Sequence, residues 1–99
     1  MIQTIVTDNA PSAIGPYSQA IEAGDFVFVS GQLPIDPFTG QFAGDDIQSQ
    51  TIQSIRNVKV ILEKAGCTLE QACKTTVYLE DITDFGPMNE VYAQFFQTK

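Results

Sequence analysis

The hydrophobic positions of this chain change their period along its length. Ile2 to Thr7 alternate apolar and polar, which predicts a first, edge strand. Phe26-Val-Phe-Val29 is apolar without alternation and is bounded by Gly24-Asp25 before it and Gly31-Gln-Leu-Pro34 after it. Such a run reads as a strand buried on both faces, placed in the middle of the fold. Tyr17 to Ala23 is a second strand-like run, and Gly24-Asp25 suits a two-residue hairpin turn with glycine supplying the positive φ. That turn sets Ala23 opposite Phe26, Ile21 opposite Phe28, Gln19 opposite Ser30 and Tyr17 opposite Gln32.

From Asp45 the period becomes helical. Ile52, Ile55, Val58, Leu62 and Ala65, widened by Ile61, form one stripe, and Gln53, Arg56, Lys59 and Glu63 fall on the other side. Asp45 with Gln48 has the spacing of a capping box, and Gly66 supplies the stop. Cys73 to Glu80 reads as a strand, with Thr75, Val77 and Leu79 on one face. Asp84 can cap a second helix that tolerates Pro87 in its first turn and buries Met88, Val91, Tyr92, Phe95 and Phe96. The order is strand, hairpin, helix, strand, helix: an α+β domain with both helices on one face of a largely antiparallel sheet. The other face carries Phe26 to Val29, too apolar for water, so a second subunit is expected to cover it.

The pairing would gather Tyr17, Gln19, Ser30 and Gln32 at the open end of the hairpin, hydroxyls and amides beside an apolar wall. That is the chemistry of a small polar pocket, or equally of a solvated sheet end. Ninety-nine residues make one domain, 1–99, with a modest core. Five basic side chains against twelve acidic ones give a net charge of −7, and the basic ones form no patch with aromatics, so no nucleic-acid partner is expected. The start of the chain has neither the basic region nor the long apolar core of a leader or membrane span; no membrane association and a cytoplasmic location are expected. Cys67 and Cys73 match no metal or redox spacing and read as packing residues. Histidine is absent, which removes Ser-His-Asp and Cys-His nucleophiles and His-based zinc sites, so no metal is expected.

Gly15-Pro-Tyr-Ser-Gln-Ala20, Phe28-Val-Ser-Gly-Gln-Leu-Pro34, Thr39-Gly40, Asn57-Val58, Lys74-Thr-Thr-Val77 and Met88-Asn-Glu-Val-Tyr-Ala-Gln-Phe-Phe96, in this order and spacing, resemble the RidA/YjgF family of reactive-intermediate imine and enamine deaminases. The resemblance runs essentially from residue 1 to 99. It implies a chorismate-mutase-like α+β fold, a homotrimer with sites between subunits, and cofactor-free hydrolysis of 2-aminoacrylate and related imines to 2-keto acids and ammonia. It implies that Tyr17 and Ser30 line the substrate site, that Gly31 lets the backbone approach the ligand, and that Asn89 supports the cleft. It also places a carboxylate-gripping arginine and a water-positioning glutamate in a C-terminal segment beyond Lys99. The 99 residues are therefore expected to be part of a longer protein, the alternative being a damaged or inactive relative.

Arg56, the only arginine, sits mid-helix on the polar side, where it cannot replace the absent guanidinium. Three activities remain to be separated. The first is the deaminase. The second is a non-catalytic trimer that binds keto acids or other small metabolites, or that acts as a protein-stabilising partner. The third, a ribonuclease or translation inhibitor, is disfavoured by the acidic charge.

Overall fold

A computed structural model describes residues 2–96. Strands β1 (Ile2–Ile5), β2 (Ala20–Ala23) and β3 (Phe26–Val29) form an antiparallel sheet in chain order. Gly24 takes φ +59 and Asp25 a negative φ, the signs of a turn with its special residue in first position. The register that follows pairs Ala23 with Phe26 and Ile21 with Phe28, as the two-residue turn predicts. One further rung forms, with the Ser30 amide donating to the Gln19 carbonyl at 3.0 Å. There the ladder stops. The expected rung between Tyr17 and Gln32 is absent because the chain turns at Gly15 (φ +114), where the Tyr17 amide bonds back to the Gly15 carbonyl.

The strand period of two sends Ile5, Ala20, Val27 and Val29 to one face, where they pack with Ala10, Val60 and Ile61 to make the core. Phe26 and Phe28 point the other way, 59% and 63% exposed, with ring centroids 6.2 Å apart. The reading of this run as a central strand buried on both faces is thus corrected. Among the described residues β3 is an edge, and the chain's helices cover only one side of it.

Helix α1 (Ile47–Lys64) buries Ile55, Ile61 and Leu62, the predicted stripe. Its cap is Asp46 rather than Asp45: the Asp46 carboxylate accepts the Ser49 amide at 2.9 Å. Its far end closes as a Schellman motif, with the Gly66 amide bonding to the Glu63 carbonyl and the Cys67 amide to the Leu62 carbonyl. Gly66 at φ +83 makes that closure possible without steric cost.

The Ser49 backbone bond, then the Ser49 side chain, hold the Asp46 carboxyl below its ordinary range. Such a depressed carboxyl contributes stability above its unfolded pKa, and the contribution is lost as pH falls through the folded value. Asp46→Ala should therefore lower the melting temperature by a few degrees at neutral pH, and the gap to wild type should narrow on acidification below about pH 4. Thermal denaturation at a series of pH values measures it. A gap that stays constant would mean that the carboxylate's charge contributes nothing.

Residues 73–79 form no strand, because no described segment runs alongside to complete a ladder. The segment is tied to the second helix, α2 (Phe85–Phe95), by the Thr75 and Tyr92 hydroxyls. α2 buries Met88 and Val91 as predicted and packs on α1. Asp84 occupies its N-cap position without a side-chain bond; Asp81 instead caps the preceding 3-10 turn, Ile82–Asp84, by accepting the Thr83 amide at 2.9 Å. Cys67 is half-buried, but Cys73 is exposed, so the packing role expected of it is not realised. No helix among the described residues is long and apolar enough to cross a membrane.

Candidate functional site

Where the hairpin ladder ends, the chain between β1 and β2 folds over the sheet's open end. The side chain of Gln19 fixes it there. Its Oε1 accepts the Thr7 amide at 2.7 Å, and its Nε2 donates to the carbonyls of Pro11 at 2.8 Å, Thr7 at 3.1 Å and Ala10 at 3.3 Å. The carbonyls of Thr7, Ala10 and Pro11 turn toward the buried Gln19 amide, where each needs a donor in place of water. An open groove of about 300 Å³ results, lined by Thr4, Val6, Asp8, Ser12, Tyr17 and Ser18 among others.

Tyr17 lies in this groove, half-exposed, with its hydroxyl accepting the Ile14 amide at 3.3 Å. Ser30 leaves β3 on the face of Phe26 and Phe28, and its Oγ donates to the Ser18 carbonyl at 2.6 Å. The two predicted hydroxyls are therefore connected only through the main chain of residues 17 and 18. Gln32 donates to the Ser30 carbonyl at 3.3 Å, and Gln19 is turned inward to carbonyls 8 to 12 residues back, so the predicted cluster of four is divided among separate backbone partners. Gly31 is exposed, and the space over its α-carbon is open. Asn89 lies on the exposed side of α2, outside the groove, with no side-chain hydrogen bond among the described residues.

The described lining of the groove carries the Asp8 carboxylate and no cation. Arg56 opens onto a separate cleft with Asn9, Asp36, Phe38 and Gln53. No three metal-ligating side chains converge among the described residues.

Two organising side chains escaped the sequence reading. The hairpin pattern places Gln19 in an open pocket, whereas the structure makes it an anchor. Asn57 is 1% exposed; its Nδ2 donates to the carbonyls of Leu33 at 3.1 Å and Ile35 at 3.0 Å, and its Oδ1 accepts from Gln53 at 2.9 Å. The available signal was its spacing, three and four residues before Val60 and Ile61, which places it on a buried side of α1.

With this geometry in place, the comparison with known proteins is decisive. The family described as endoribonuclease L-PSP, which holds the YjgF, RutC and RidA proteins, matches residues 7–99. The chain belongs to this family. A RutC family protein of Pyrococcus horikoshii is 56% identical over 96 residues, 97% of this chain and 76% of the relative. A 2-iminobutanoate/2-iminopropanoate deaminase of Salmonella typhimurium is 48% identical over 96 residues, 97% of this chain and 74% of the relative. Among solved structures, Escherichia coli TdcF with bound serine superposes with a TM-score of 0.90 at 45% identity, covering 94% of this chain and 72% of that one. Membership of the family and the α+β fold are thereby established, as the motifs around Tyr17, Ser30 and Asn89 predicted.

Proposed function

We propose that the protein hydrolyses reactive 2-aminoacrylate-type enamines and imines to 2-keto acids and ammonia. The observation that carries this reading is the 48% identity, over 97% of the chain, to a relative named as such a deaminase. In its imine form 2-aminoacrylate presents a C=N carbon. Water adds there, the C=N pair moves to nitrogen, and the resulting carbinolamine expels ammonia as its hydroxyl becomes the keto oxygen of pyruvate. That sequence needs a positioned water and a proton carrier, both compatible with a chain without histidine.

In this reading Tyr17 and Ser30 orient the imine beside the groove, the open backbone at Gly31 lets it approach, and Asn89 supports the cleft from a neighbouring copy. A homotrimer would bring the copies together and cover Phe26 and Phe28. The cation for the substrate carboxylate would come from the segment that the resemblance places beyond Lys99.

The expected result is faster release of ammonia and pyruvate from freshly generated 2-aminoacrylate when the protein is present. Ser30→Ala and Tyr17→Phe should each lower kcat/KM by roughly ten- to a hundredfold, the size of a lost orienting or proton-transfer contact. No acceleration by the wild-type protein rejects the reading.

The serine bound to TdcF favours a second reading, a protein that holds small metabolites without turnover. Calorimetry with 2-ketobutyrate, run beside the turnover assay, separates the two. The ribonuclease in the family's description fits poorly with a chain of net charge −7, and tight binding of single-stranded RNA at physiological salt would reverse that judgement.

A further inference from the structure

We infer that Gln19 is the positioning residue of this site: its buried amide sets where Tyr17 and Ser30 stand relative to each other. The inference rests on the deaminase reading for its catalytic consequence and on geometry for the rest.

Gln19 is 3% exposed, and every polar atom of its side chain is used. The acceptor faces the Thr7 amide just past β1. The two amide hydrogens serve three carbonyls, at Thr7, Ala10 and Pro11, so one of them is shared. The main-chain carbonyl of the same residue accepts the Ser30 amide. A single residue thus joins the end of β1, the loop that follows it and the exit of β3.

Tyr17 is two residues away, on a peptide whose other bonds are local: its amide to Gly15 and its hydroxyl to Ile14. The Ser30 hydroxyl reaches the next residue, at the Ser18 carbonyl. Among the described residues, two side chains fasten residues 17–19 to the body of the fold: the Ser30 hydroxyl ties them to β3, and the Gln19 amide ties them to the end of β1 and the loop after it. Only a long primary amide serves this set of partners. A carboxylate offers no donor to three carbonyls, and asparagine is shorter by one methylene.

The test compares Gln19→Met, which keeps length and bulk but has no amide, and the milder Gln19→Asn with Ile55→Ala, a core truncation in α1. All are assayed well below their melting midpoints. kcat and KM are measured for each, and Tyr17 ring resonances and Ser30 amide exchange are recorded without substrate. Displacement of an orienting group by about an ångström can cost on the order of a hundredfold in rate. Gln19→Met should accordingly lose roughly ten- to a hundredfold in kcat/KM, mostly in kcat, with Gln19→Asn intermediate, while Ile55→Ala keeps kcat/KM within about twofold. The Tyr17 and Ser30 signals should move in the Gln19 variants only.

A Gln19→Asn protein that melts early yet keeps both kcat/KM and those signals makes Gln19 a structural clamp and overturns the inference. Should the wild-type protein release no ammonia, the deaminase reading falls, and the Tyr17 and Ser30 signals alone then decide the positioning claim.

Discussion

Asn57→Leu should lower the melting temperature by roughly 10–20 °C, although the new side chain is apolar and similar in volume. The Leu33 and Ile35 carbonyls each lose their donor from Asn57, and the Gln53 amide loses its acceptor. The Leu33 carbonyl keeps the Ile35 amide at 2.8 Å and loses only one of two donors, whereas the Ile35 carbonyl is left without a partner among the described residues, which costs about 1–3 kcal/mol. Taken together the loss is on the order of 2–4 kcal/mol, and a domain of about 100 residues shifts by about 4–8 °C per kcal/mol. Asn57→Asp should be worse at neutral pH, because a buried charge then faces two carbonyl oxygens, and should recover part of the loss in acid as the carboxyl gains a proton to donate. Thermal denaturation followed by circular dichroism gives both numbers. A drop of only a degree or two for Asn57→Leu would mean that water takes over the abandoned carbonyls.

The second large effect is a contrast between the two faces of the sheet. Ile61 is 0% exposed at the centre of the core formed with Ala10 and Ala20, so Ile61→Ala should cost about 3–4 kcal/mol from lost transfer energy and the remaining void. Phe28 is 63% exposed in the single chain, and Phe28→Ala should cost well under half as much if the protein is monomeric. In an assembly that covers this face the two costs become comparable, and the Phe28→Ala loss grows with dilution. Denaturant titration of both variants at two protein concentrations discriminates the cases. A Phe28→Ala cost that is small and independent of concentration counts against the proposed trimer.

Local rules and long-range partners differed in how far the sequence revealed them. The Gly24-Asp25 turn and the pairing of Phe28 with Ile21 follow from chain-neighbour geometry, and the α1 stripe follows from its 3.6-residue period. Both were legible for that reason. The strand expected over Cys73 to Glu80 has the right alternation, but a strand exists only with a ladder partner, and composition carries no information about that partner. Asp46 displaced Asp45 as the helix cap because either aspartate satisfies the sequence rule and only the Ser49 amide chooses between them. At the candidate site, the hairpin register correctly sets Ser30 beside Gln19, whereas the rung that would set Tyr17 opposite Gln32 does not form. Gln19 and Asn57 were missed as anchors because their partners are main-chain carbonyls 8 to 24 residues away, which residue types do not advertise.

The uncovered side of β3 bears on how the protein survives its own synthesis. Phe26-Val-Phe-Val29 combines strong extended propensity, no charge and no proline, and it lies at the rim of the described sheet with both phenylalanines toward solvent. A newly made chain thus displays a sticky ribbon on which misassembly can nucleate. Asp25 at the tip and the chain's surplus of seven negative charges set electrostatic repulsion against that association.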